Sequence, residues 1–178
     1  MLSNLTVDTM RLVVDYLQHY LSGSALSHSH MARTLWRVAD KLESHEKTFF
    51  HSICCTDILL ESSRAAAHLT CVAVQMESDG GLNWGQVVAL FVFNSTLATA
   101  LTEREAHEEI GSLTEVLVIY LSVEKREWLE AHGGWNGFYH YFNKLDSDSI
   151  NWYDTKSNTI IATAGFLLAG LVFLLAVR

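Results

Sequence analysis

The sequence predicts an all-α protein: a bundle of about eight helices around a hydrophobic central helix, followed by a C-terminal transmembrane helix. Three observations carry this. Proline is absent from all 178 residues, so no helix is interrupted by a residue that lacks a backbone donor and clashes with the preceding turn. Apolar residues recur at helical spacing, while strand-like alternation is sustained nowhere. One internal stretch, 84–101, is apolar almost all round, the pattern of a helix wrapped by others.

The elements follow in order. Residues 5–21 put Leu5, Met10, Val13, Val14, Leu17 and Leu21 at helical spacing, and Ser22-Gly23-Ser24 ends that helix. A short polar loop with His28 and His30 follows, then a second amphipathic helix over 31–50 with Met31, Leu35, Val38 and Leu42 at i, i+4, i+7 and i+11. Residues 52–60 and 63–77 read as two shorter helices closed by Ser78-Asp79-Gly80-Gly81. Asn83 is a good N-cap for the apolar helix that starts at Trp84. A second apolar helix is expected over 113–123, then short helices over 127–132 and 135–143, broken by Gly133 and Gly134. Residues 144–158 are polar and lead to the end of the chain.

That end, 159–177, reads T-I-I-A-T-A-G-F-L-L-A-G-L-V-F-L-L-A-V without a charge. At about 1.5 Å per residue it spans roughly 28 Å, close to the ~30 Å hydrocarbon thickness of a bilayer. Lys156 and Arg178 flank the run and are placed to reach the headgroups. Gly165 and Ala169, at i and i+4, offer a close-packing face of low specificity. The expected organisation is a helical domain at 1–150, a linker at 151–158 and a tail anchor at 159–177. The N-terminal sequence has no basic stretch followed by an apolar run, so it does not read as a signal peptide. The domain is therefore expected in the cytosol, facing the membrane that holds its tail.

The formal net charge is −8, and lysines and arginines are scattered singly except for Lys125-Arg126. Nucleic-acid binding needs a basic stripe to neutralise phosphates, so that class is excluded. The three cysteines, Cys54, Cys55 and Cys71, show no metal-ligand spacing and read as reduced thiols. His45-Glu46 and His107-Glu108 lack the second histidine of a zinc-protease motif, and Gly80-Gly81-x-x-x-Gly85 follows no strand. No phosphate loop or nucleophile elbow appears. The chain is not expected to be an enzyme, and no cofactor or metal is expected.

Two motifs are specific. Residues 83–93 read N-W-G-Q-V-V-A-L-F-V-F, and residues 128–138 read W-L-E-A-H-G-G-W-N-G-F. Together they closely resemble the first and second homology motifs of the Bcl-2 apoptosis-regulator family. Leu35-Trp36-Arg37-Val38-Ala39-Asp40 is similar to the third (BH3), and Arg11-Leu12-Val13-Val14-Asp15-Tyr16-Leu17 to the fourth. The resemblance spans nearly the whole chain. The short first loop and the A-G-F-L-L-A-G-L-V-F-L-L-A-V-R ending look most like the bird Nr-thirteen branch (Bcl-2-like protein ten), herpesvirus-encoded relatives included.

The resemblance implies a Bcl-2-like bundle whose surface groove binds the amphipathic BH3 helix of a pro-apoptotic relative, Bax/Bak-like or BH3-only. It places Leu42, Phe49, Phe50, Val72, Met76, Val88, Ala89 and Phe93 on the groove floor and walls. The bland alternative is that these are ordinary core residues. Gly85 would let a ligand backbone come close, and Asn83 would cap the helix and bond a ligand aspartate. Trp84, Trp128, Gly134, Trp135 and Phe138 read as motif residues that pack the central helix against the last helices, with ligand contact the other reading for the tryptophans. Where the family usually has Arg after N-W-G, this chain has Gln86. Charge-assisted hydrogen bonds contribute about 1.5–3 kcal/mol and neutral ones about 1, so the expectation is that Gln86 and Asn83 share the ligand carboxylate at some cost in affinity. The Met31, Leu35, Val38, Leu42 stripe either packs permanently as the second helix or swings out to another copy. The implied function is anti-apoptotic: sequestering pro-apoptotic relatives at the mitochondrial outer membrane, with the endoplasmic reticulum as a second address, so preventing permeabilisation. The alternative is a pore-forming pro-apoptotic effector of the same fold, with the two very apolar helices as its inserting hairpin.

Overall fold

Helix boundaries in this chain are set by caps and by glycine. The structure is a computed structural model that describes residues 3–23, 29–45, 65–78 and 81–147. Helix α1 (Asn4–Ser22) opens on Ser3, whose hydroxyl accepts the Thr6 N–H at 3.2 Å. It ends at Gly23, which adopts φ 64° and donates its N–H to the His19 carbonyl at 2.9 Å. Leu12, Val13, Tyr16 and Leu17 form its buried face. Helix α2 (His30–His45) buries Leu35, Val38 and Leu42 completely, with Met31 half-buried against the core. The BH3-like stripe is thus packed inward as the second helix.

Helix α3 (Ala65–Ser78) turns Leu69, Val72, Ala73 and Met76 inward. Helix α4 (Trp84–Glu103) is the central helix, buried at every position from Trp84 to Ala98 and in contact with α1, α2, α3 and the following helix. A helix with no polar face has nowhere to lie except inside the bundle. Its polar residues are absorbed locally: the Ser95 and Thr96 hydroxyls both donate to the Val92 carbonyl, at 2.9 and 2.8 Å. Asn94 is fully buried with neither amide atom hydrogen-bonded.

Helix α5 (His107–Ile119) starts six residues before the expected 113, because its first turn is polar and leaves no apolar period to read. Glu108 and Glu109 there suit the positive end of the helix dipole. It continues as a π-helical turn, Tyr120–Glu124, closed by the Lys125 N–H donating to the Tyr120 carbonyl at 2.9 Å. Helix α6 (Arg126–Ala131) and helix α7 (Gly134–Ser147) complete the bundle. The last helix runs beyond the expected 135–143: α7 reaches Ser147, since neither glycine nor proline interrupts 138–147 and Lys144 suits the helix end.

Seven α-helices and no strand occur among the described residues. The expected helix 52–60, the end of the expected helix 31–50, the linker 151–158 and the anchor 159–177 lie outside them, as do His28, Phe49, Phe50, Cys54 and Cys55. Cys71 is a free, exposed thiol on α3.

Candidate functional site

The first candidate motif is built around the N-terminus of α4. Asn83 takes an extended backbone conformation and its Oδ1 accepts the Gln86 N–H at 3.0 Å. In return, Gln86 Oε1 accepts the Asn83 N–H at 3.0 Å, a reciprocal capping box. The other end of the same side chain, Gln86 Nε2, donates to the Met76 carbonyl at 2.8 Å, in the last turn of α3. The residue is only 3% exposed. Gln86 thus has a structural role beside the one expected from the sequence. Both ends of its amide have partners within the chain and join the start of α4 to the end of α3.

Gly85 lies one residue beyond Trp84, inside the first turn and buried. Leu42, Val72, Met76, Val88, Ala89 and Phe93 are each at most 1% exposed and belong to one continuous core cluster. The structure brings α2, α3 and α4 residues together here, as floor and wall of a groove require, but it does so in their covered state. Phe49 and Phe50 lie outside the described residues.

The second motif packs against the first residue of α4. Trp84 meets Trp128 edge-to-face at 4.8 Å and Phe138 at 5.5 Å, and Trp135 meets Phe138 at 5.8 Å. Phe91 extends the cluster, meeting Trp135 at 6.0 Å and Tyr16 at 5.5 Å. The Trp135 indole N–H donates to Thr9 Oγ1 at 2.9 Å, which fixes α7 to α1. Burial raises the Tyr16 pKa above its ordinary value, opposed by a hydrogen bond with Ser95.

The elbow between α6 and α7 explains the paired glycines. Gly133 and Gly134 adopt φ 78° and 58°, consecutive left-handed conformations that side chains disfavour. The chain then folds back so tightly that a Cβ on Gly137 would lie 1.7 Å from the His132 carbonyl oxygen. Gly137 is thus as necessary to the elbow as Gly134, although it carries no positive φ that a turn pattern would announce.

Three features escaped sequence reasoning: the bond from Gln86 to Met76, the ion pair between Lys125 Nζ and Glu77 at 2.6 Å, and the Tyr120 hydroxyl donating to the Ala73 carbonyl at 3.3 Å. All are contacts between different elements, two of them across more than forty residues. Burial first, then the negative charges of Glu77 and Glu124, push the Tyr120 pKa up. No group of three or more potential metal ligands occurs among the described residues.

A family model described as apoptosis regulator proteins, Bcl-2 family, matches residues 35–135. The anti-apoptotic protein NR13 of Coturnix japonica is 46% identical over 175 residues, covering 98% of both chains, and NR13 of Gallus gallus matches equally. Apoptosis regulator R1 of Xenopus laevis is 32% identical over 117 residues, 66% of this chain and 50% of its own. Among solved structures, the zebrafish pro-survival protein NRZ in complex with a Bad BH3 superposes with a TM-score of 0.72 at 30% identity, covering 78% of this chain and 94% of that one. Its ligand-free form superposes with a TM-score of 0.71.

Proposed function

Since the chain belongs to the Bcl-2 family of apoptosis regulators, we propose that it is an anti-apoptotic member that sequesters pro-apoptotic relatives by binding their BH3 helices. The supporting observation that carries the reading is the likeness of its backbone to a pro-survival chain solved with a Bad BH3. The near full-length similarity to NR13 supports the anti-apoptotic sign. The protein acts as a stoichiometric trap.

The groove runs between α2, α3 and the start of α4, with Leu42, Val72, Met76, Val88, Ala89 and Phe93 as its apolar surface and Gly85 as the point of closest backbone approach. These described apolar residues are buried in the free chain, so a ligand helix reaches them only after they are uncovered. Binding is therefore a shift between closed and open forms, and its affinity is reduced by the cost of opening. With Gln86 held by α3, affinity comes mainly from apolar anchors at i, i+3 or i+4, i+7 and i+11 of the ligand. Residues 159–177 anchor the domain in the mitochondrial outer membrane, facing the cytosol, where captured effectors can no longer permeabilise it.

The test is calorimetry of the protein against a panel of BH3 peptides, Bad included, joined to release of dye from liposomes carrying an activated effector. Saturable 1:1 binding and suppressed release are expected. Release caused by the protein itself would make it an effector instead, and absence of heat with every peptide would overturn the reading.

A further inference from the structure

The C-terminal part of α3 is held from outside by three contacts from two elements. Its Met76 carbonyl accepts from Gln86 on α4, its Ala73 carbonyl accepts from the Tyr120 hydroxyl, and the Glu77 carboxylate pairs with Lys125. Two of these three contacts come from the π-helical turn and the residue that closes it.

The register of that turn explains why. In a regular α-helix, residues five apart point about 140° away from each other. The i to i+5 bond from the Lys125 N–H to the Tyr120 carbonyl brings the two residues back onto one side. The Lys125 ammonium consequently sits 5.5 Å over the Tyr120 ring while reaching Glu77. One extra residue per turn converts two divergent side chains into a paired grip on α3. Proline is absent there; the Ser122 hydroxyl bonds back to the Val118 carbonyl, and the Ser122 carbonyl accepts from Arg126 Nε at 3.2 Å.

We propose that the π-helical turn is a clamp that sets the position of α3, with Lys125 as a positioning residue for the groove wall carrying Val72 and Met76. It acts through Glu77 and has no contact with ligand. The part of this inference that concerns ligand affinity rests on the groove reading above; the clamp itself does not.

The test uses the full chain and four variants: Lys125→Met, Glu77→Gln, Lys125→Glu, and the swap Lys125→Glu with Glu77→Lys. Amide hydrogen exchange is followed at 73–78 and, as an internal reference, at 87–98 of α4. Affinity for a Bad BH3 peptide is measured in parallel. Each single variant is expected to speed exchange at 73–78 about two- to five-fold, the range of a partly exposed ion pair, and to leave 87–98 unchanged. The swap is expected to restore the wild-type rates. Peptide affinity changes about two-fold or more in the single variants and recovers in the swap.

Unchanged exchange in the single variants, or a swap that restores nothing, overturns the clamp. Altered exchange with unaltered peptide affinity keeps the clamp and overturns its role in positioning the groove. A wild-type protein that binds no peptide refutes the groove reading and the positioning role together, while the exchange experiment still decides the clamp.

Discussion

Replacing Gln86 by Met removes a hydrogen-bonding hinge while nearly conserving volume. Two neutral hydrogen bonds disappear, one from the Asn83 N–H at 3.0 Å and one to the Met76 carbonyl at 2.8 Å. Each contributes about 1 kcal/mol net, and a buried carbonyl left without a donor adds roughly 1 more. The expected loss is about 3 kcal/mol, or about 6–12 °C in Tm for a domain of this size. Urea unfolding followed by far-ultraviolet circular dichroism measures it. Gln86→Glu keeps an acceptor for Asn83 but turns a carboxylate toward the Met76 carbonyl, so it should be at least as damaging at neutral pH. Asn83→Ala, which removes only the cap acceptor, should cost about 1 kcal/mol. A loss below about 0.5 kcal/mol for Gln86→Met would refute the bridging role assigned to this side chain.

Three further outcomes follow from the structure. Gly137→Ala places a methyl group against the His132 carbonyl, and is expected to cost several kcal/mol or abolish folding, read by thermal melting and near-ultraviolet dichroism. Asn94→Leu replaces a buried amide with no hydrogen-bond partner and is expected to stabilise the fold by about 1–2 kcal/mol in chemical denaturation; destabilisation would show that the amide is satisfied in solution. Tyr16 and Tyr120 have pKa values raised in the folded state, chiefly by burial. The unfolded chain thus releases these protons first, so their contribution is intact below about pH 10 and falls as pH rises beyond it. Spectrophotometric titration should show these tyrosines ionising only as the protein unfolds in alkali.

Much of the architecture is legible because it rests on periodicity. The stretch 84–101 has no polar face, and Trp84–Glu103 is indeed the helix that touches four others. Asn83 announces its own cap, and Gly23 its own stop. The tryptophans quoted from two motifs at 83–93 and 128–138 meet in one aromatic cluster. The family resemblance, including the Nr-thirteen branch, agrees with the comparisons. What was hidden depends on register and tertiary partners. The first turn of α5 is polar and carries no apolar period. A π-helical turn leaves no compositional mark, since it reuses ordinary helix-forming residues with one bond shifted. Gln86 reads as a weakened copy of an arginine until its second partner, ten residues upstream, is in place. The apolar groove candidates cannot declare from sequence whether they are covered or open, because core and ligand-binding surfaces use the same side chains.

The most direct test of the account is residue-resolved nuclear magnetic resonance of the folded domain titrated with a Bad BH3 peptide. Saturable shifts should concentrate at Val72, Met76, Asn83, Gly85 and Val88, with the α6–α7 elbow unaffected. Shifts confined to other faces, or none at saturating peptide, would contradict it.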